Sequence, residues 1–207
     1  MQLFVKNLLL VLLGSIILGA LYGIYYSTHQ VGIEKGKQLA ALLPSIEEPL
    51  HLDPVVKSEG CTIRGPLPDH DCTPGSVFAD ATKEKICVDG YTKTVRNVSV
   101  SLKKKVYAKY GIPYPPAFGT YETDHLIPLA LGGDNDVANL FPEAAEPAPG
   151  FKEKDVVENY LRQEVCSGRI ALSVAQEQIA NDWLLIYNSL NPEVIREFKA
   201  RFRSWAD

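Results

Sequence analysis

The chain lacks any basic excess: 21 Lys and Arg stand against 25 Asp and Glu over 207 residues, a net charge of −4. A protein that coats nucleic acid along its whole surface needs the opposite sign, so a nucleic-acid contact here has to be local. Compositional extremes are missing too. Apolar residues make up 46%, with 15 Gly and 14 Pro, which excludes a wholly disordered or collagen-like chain. No internal repeat is visible. Cysteine is sparse, with Cys61, Cys72, Cys87 and Cys166 only. No two of them stand in C-x2-C spacing, so a structural zinc site of the usual kind is not expected. One absence is local: from Gly90 to Tyr121 there is no acidic residue.

What is present begins with an uncharged run from Leu8 to Tyr26. As a helix it spans roughly 28 Å, about the hydrocarbon thickness of a bilayer. It is expected to be a membrane anchor (residues 1–26) that leaves the rest of the chain extracytoplasmic. A cleaved signal peptide, giving a secreted protein, is the alternative. An even cysteine count after an export segment reads as one or two disulfides, with the pairing open. Residues 27–60, with Pro44, Pro49 and Pro54, read as a stalk or linker. Residues 61–207 are expected to form the domain. Its first part, rich in Gly, Pro and Cys, is expected to be loops held by staples.

Regular structure is expected further on. Ser101 is a plausible N-cap for a helix carrying Leu102, Val106, Tyr107 and Tyr110. The segment from Glu122 to Leu131 has strand character, and Gly132-Gly133 suggests a hairpin turn. From Phe151 to Cys166, the residues Val156, Val157, Tyr160, Leu161 and Val165 make a helical stripe, closed by Gly168. Ser173 with Gln176 has a capping-box pattern before Ala175, Ile179, Trp183 and Ile186. Asn191-Pro192 opens a last amphipathic helix through Phe198, Phe202 and Trp205. The class is α+β.

The chemistry concentrates in Asp124-His125-Leu126-Ile127-Pro128-Leu129, followed by Gly132-Gly133 and Asn139-Leu140. A neutral imidazole can take a proton from water near neutral pH if something fixes its tautomer and orientation. Carboxylate and amide oxygens suit a hard divalent cation such as Mg²⁺. Adjacent strand residues face opposite sides, so a bulge or twist is expected to aim Asp124 and His125 at one phosphate. Asp134 and Asp136 read as Asx-turn residues.

Asp-His-x-x-Pro-x-x-x-Gly-Gly with Asn-Leu downstream resembles the HNH endonuclease motif, the ββα-metal fold. The flanking strings Cys72-Thr-Pro-Gly-Ser-Val-Phe, Lys154-Asp155-x-x-Glu158-Asn159 and Val165-Cys166-x-Gly168 resemble exported bacterial and phage HNH-like proteins. The resemblance runs from about Cys61 to Tyr187. It implies His125 as general base, Asp124 as metal ligand and Asn139 as the brace of the loop. It also implies a further metal-site residue on the following helix, where Asn159 and Asp155 are the candidates. The implied activity is hydrolysis of DNA phosphodiesters with a divalent ion, expected to be Mg²⁺, and with no small-molecule cofactor. A non-catalytic module that binds nucleic acid or a protein partner in the cell envelope is the alternative.

The acid-free stretch supplies Lys93, Arg96, Lys103, Lys104, Lys105 and Lys109, interleaved with Tyr91, Tyr107 and Tyr110. This is a candidate phosphate-contacting surface. The membrane is the second expected partner, through the N-terminal run. A reporter fused after Tyr187 is expected to read out outside the cytoplasm; a cytoplasmic signal there contradicts the topology.

Overall fold

The computed structural model describes residues 50–201. The apolar run 8–26, most of the 27–60 stretch, and Phe202, Arg203 and Trp205 lie outside the described residues. Among the described residues, no helix is long and apolar enough to cross a membrane.

The chain is α+β: six α-helices and one two-stranded antiparallel sheet among the described residues. In order they are α1 (Lys83–Ile86), α2 (Tyr91–Val95), α3 (Val100–Lys109), β1 (Tyr121–His125), β2 (Leu140–Ala144), α4 (Phe151–Cys166), α5 (Leu172–Ser189) and α6 (Pro192–Arg201). Strand, strand and long helix therefore follow one another directly. Residues 50–60, expected as stalk, are already bonded to the domain: Val56 and Lys57 N–H both donate to the Asp71 carbonyl. Leu52 packs against the core.

Each element has a local cause. Helix α3 starts two residues earlier than expected, because Ser99 and not Ser101 is the cap: its Oγ accepts from Leu102 N–H at 3.1 Å. Helix α4 begins after Gly150, whose N–H donates to the Glu153 carboxylate at 3.0 Å. It buries the expected stripe of Val156, Val157, Leu161 and Val165 and ends before Gly168, which takes the left-handed conformation at φ +75°. Helix α5 departs from the expected capping box. Its N-cap is Ala171, the hydroxyl of half-buried Ser173 has no partner, and Gln176 lies in the core. There Gln176 donates to the Leu131 carbonyl at 2.8 Å. Helix α6 opens as expected, with Asn191 Oδ1 accepting from Glu193 N–H at 2.8 Å.

The core joins α4 and α5 to the sheet: Ile127, Leu131, Phe141, Leu161, Ile179 and Trp183 share one buried cluster. Two disulfides staple its loop-rich flank. Cys61 pairs with Cys72, and Cys87 with Cys166, which ties the end of α1 to the end of α4. Each bridge is worth about 2–4 kcal/mol through restriction of the unfolded chain.

Lys109 corrects an expectation. It is 7% exposed, and its Nζ donates to the carbonyls of Cys72 at 2.7 Å and Val137 at 2.9 Å. It is an internal clamp and does not reach a DNA backbone. Burial pushes its ammonium down to about 8. Replacing it with Met is expected to destabilise the fold by about 1–3 kcal/mol for each orphaned carbonyl, read by urea unfolding at pH 7. Between pH 8 and the ordinary lysine value of 10.5 the unfolded chain binds more protons than the folded one. Lys109 therefore makes stability rise with pH across that window, and the variant is expected to lose this rise.

Candidate active site

Register builds the site. Glu122 lies opposite Glu143 and Asp124 opposite Phe141, so Glu122, Asp124 and Glu143 share one face of the hairpin. The pairing stays regular through His125 and Leu140, so the expected bulge is absent. None is needed. His125 is the last residue of β1, where the chain leaves the sheet, and Asp124 and His125 line the same pocket.

The link between the strands is not the tight Gly-Gly turn that was expected. It is a compact loop over residues 126–139, with the 3-10 turns Leu129–Leu131 and Val137–Asn139. Asn139, fully buried, is its clamp. Its Oδ1 accepts from Ile127 N–H at 2.9 Å, and its Nδ2 donates to the carbonyls of Ile127 and Asp134, each at 2.9 Å. The glycine pair serves this packing. Gly132 turns at φ +79°, and a Cβ on Gly133 would stand 1.8 Å from the Ile127 carbonyl oxygen. Asp134 and Asp136 are Asx-turn residues as expected, accepting from Asp136 N–H at 2.9 Å and Ala138 N–H at 2.8 Å.

His125 is 2% exposed. Burial lowers its pKa against the opposing pull of the Asp124 charge, so the ring is neutral at pH 7. Its Nε2 lies 3.2 Å from Asn135 Oδ1.

Beside it, helix α4 contributes a buried cation. Lys154 is fully buried; its Nζ donates to Asp124 Oδ2 at 2.6 Å, to the His125 carbonyl at 2.7 Å, and to Glu158. Burial would lower the lysine, but the Asp124, Glu158 and Glu143 carboxyls override it and keep it well above the ordinary value. One ammonium cannot neutralise three carboxyls. Asp124 keeps its charge: burial would raise it, and Lys154 holds it well below the carboxylate range. Glu158 is pushed up to about 8 by burial, only partly opposed by Lys154, so near neutral pH it meets Lys154 mainly as a neutral acid. Burial and the Asp124 charge push Glu122 up to about 7. Glu143 is fully buried, and neither oxygen finds a donor. Burial, with the Asp124 charge beside it, raises Glu143 well above the ordinary carboxylate value.

Asp124, His125 and Glu158 border a pocket of about 410 Å³. Its lining also includes Asp155 and Asn159, together with the cations Lys93, Arg96 and Arg162. Both helix candidates therefore reach it. Asp155 is exposed on the rim, and Asn159 donates its Nδ2 to the Asp155 carbonyl at 2.7 Å. Burial and the Asp124 charge also raise Asp155, an effect that water at the rim moderates. The basic stretch divides: Lys93 and Arg96 line the pocket, while Lys103, Lys104 and Lys105 ride on α3 and do not. Sequence reasoning gave no role to Glu122, Asn135, Glu143 or Lys154. The i, i+4 spacing of Lys154 and Glu158 and the i, i+2 spacing of Glu122 and Asp124 were the available signals.

Carboxyl and amide oxygens on the pocket wall are the donor type a hard divalent cation takes. In this arrangement the donors do not converge. Among the described residues no group of three or more His, Cys, Asp or Glu could hold a metal ion, and Lys154 occupies Asp124 Oδ2. Comparison with family models, curated proteins and solved structures found no match.

Replacing Lys154 with Met is expected to destabilise the fold by about 3–5 kcal/mol, the penalty for stripping a buried pair of one partner. The loss is expected to shrink from pH 8 to pH 5. Lys154 lowers Glu158 and Asp124 in the wild type, so without it both are raised further; the variant then takes up more protons on folding than the wild type does and gains more from the lower pH. Urea midpoints at the two pH values measure this. Equal losses would show that the ammonium is not the counterion of the cluster.

Proposed function

We propose that this domain is an endonuclease of the HNH type that hydrolyses DNA phosphodiester bonds with water as nucleophile and a divalent ion as cofactor. The observation that carries the reading is the meeting of Asp124 and His125 at one strand end, over a loop clamped by Asn139, in a pocket walled by the next helix. His125 is the general base: a neutral, buried imidazole beside a pocket wide enough for a phosphate group. Asn139 acts through the loop, holding the backbone at Ile127 and Asp134 just after His125. Lys93, Arg96 and Arg162 supply positive charge in the pocket lining, suited to a phosphate backbone.

Asp124 would hold the ion, with Asp155 or Asn159 from α4. When bound, it supplies charge stabilisation at the attacked phosphate. Loading it requires Asp124 to share or release Lys154. That same contact favours the second reading, a module that keeps the fold, binds nucleic acid or a protein partner, and uses Lys154 as a permanent internal cation.

Two disulfides support an oxidising compartment outside the cytoplasm, in line with an export segment at residues 1–26.

The purified protein is expected to cut DNA in the presence of Mg²⁺ and not in EDTA. His125→Ala is expected to lose about 10²–10⁴-fold in rate while folding normally. Absence of metal-dependent cleavage of single- and double-stranded DNA turns the assignment to the binding module. Undiminished cleavage by His125→Ala makes the Asp-His pair structural.

A further inference from the structure

We propose that Asn135 is the positioning residue of His125: it fixes the ring proton on Nε2 and leaves Nδ1 as the basic nitrogen. The argument is one of donor and acceptor bookkeeping. A side-chain amide can be placed either way round, so its neighbours must decide which end is oxygen. Here two backbone groups of opposite polarity decide it. Asn135 Nδ2 donates to the Val95 carbonyl at 2.8 Å, and Asn135 Oδ1 accepts from Asn97 N–H at 3.1 Å. The flipped amide would lose both bonds and set carbonyl against carbonyl.

With the amide so fixed, the atom 3.2 Å from His125 Nε2 is an acceptor. A neutral imidazole has one donor nitrogen and one acceptor nitrogen. Only the tautomer protonated at Nε2 satisfies this contact, and it leaves the Nδ1 lone pair free. Asn135 is itself held in place. It sits in the Asx turn of Asp134, whose Oδ2 also accepts from Ser76 Oγ at 2.6 Å. The same amide spans two elements that share no backbone ladder. It ties the end of α2 and the segment carrying Arg96 to the ring at the end of β1. Base and cationic wall are thereby set relative to each other by one side chain.

The proton assignment stands on these hydrogen bonds; its importance for cleavage rests on the reading of His125 as base. The test therefore reads both separately. Full-length protein with ¹⁵N-labelled histidine is examined by long-range ¹H–¹⁵N spectra of its imidazoles, with His125→Ala identifying the His125 signals. The wild type is expected to show the ring proton on Nε2, protected from exchange with water. Asn135→Leu, close in size and without an acceptor, is expected to lose that protected proton. Asn135→Asp, which keeps the acceptor oxygen, is expected to retain it. In cleavage assays Asn135→Leu is expected to lower kcat by up to about 100-fold, as misplacement of a reacting group does. Asn135→Asp is expected to recover part of that loss.

A ring proton on Nδ1 in the wild type overturns the proposal. So does an unchanged, protected Nε2 proton in folded Asn135→Leu. If that variant does not fold, the wild-type and Asn135→Asp spectra decide. Wild type that cuts no DNA yet gives the expected spectra defeats the nuclease reading and leaves the tautomer assignment standing.

Discussion

An ammonium group in a dry interior must be surrounded by acceptors or it loses its proton, and that requirement organises the centre of this domain. Lys154 reaches Asp124, Glu158 and the His125 carbonyl at once. Those three groups come from the sheet and from the helix, so satisfying one cation docks α4 on the hairpin. The apolar stripe of α4 provides the driving force for packing, while Lys154 sets where along the strand the helix sits. Asp124 takes the charge of this pair, and the other carboxyls around it are pushed toward their neutral forms. A region with this many acids is thereby folded without an equal number of buried bases.

A second constraint acts on the opposite end of the site. The 126–139 loop carries little secondary structure, and backbone groups in such a loop need partners. Asn139 supplies three hydrogen bonds from one fully buried amide, and Gly133 allows the approach that brings them within reach. Asn135 performs a similar service across the gap to α2. Two amides thus frame the histidine, one behind the backbone and one against the ring. Rigid framing of this sort is what the proposed role of His125 as general base would require, because a freely turning ring spends most of its time misdirected.

The site therefore has two halves of different character. The acid half, from the hairpin and α4, is buried and internally compensated. The basic half is Lys93, Arg96 and Arg162, which line the same pocket. Lys109 shows why composition alone misassigns such residues. It belongs to the acid-free stretch, yet its position at the end of α3 turns it inward, where two carbonyls hold it.

Much of this was legible in the sequence wherever a signal is local. Hydrophobic period, caps and glycine stops placed α4 and α6 well, since each depends on residues within a turn or two. The Asp-His-…-Gly-Gly-…-Asn string marked the loop, and the role assigned to Asn139 is the one its hydrogen bonds support. Errors arose where a local signal had a distant competitor. Ser173 and Gln176 read as a cap, but Gln176 is claimed by a carbonyl 45 residues away. The glycine pair read as a hairpin turn, but it exists to admit the Asn139 amide. The Cys87–Cys166 bridge, the burial of Lys109 and the Lys154 cluster join segments far apart in the chain, and the Asn135–His125 contact depends on how the loop between them folds. By itself the sequence determined the α+β order, the helical faces and the pair of residues at the heart of the site, because periodicity and short-range hydrogen bonding decide those. Which nitrogen of His125 carries the proton, and which carboxyl keeps its charge, only the tertiary structure decided, because both depend on acceptors and cations brought in from other elements.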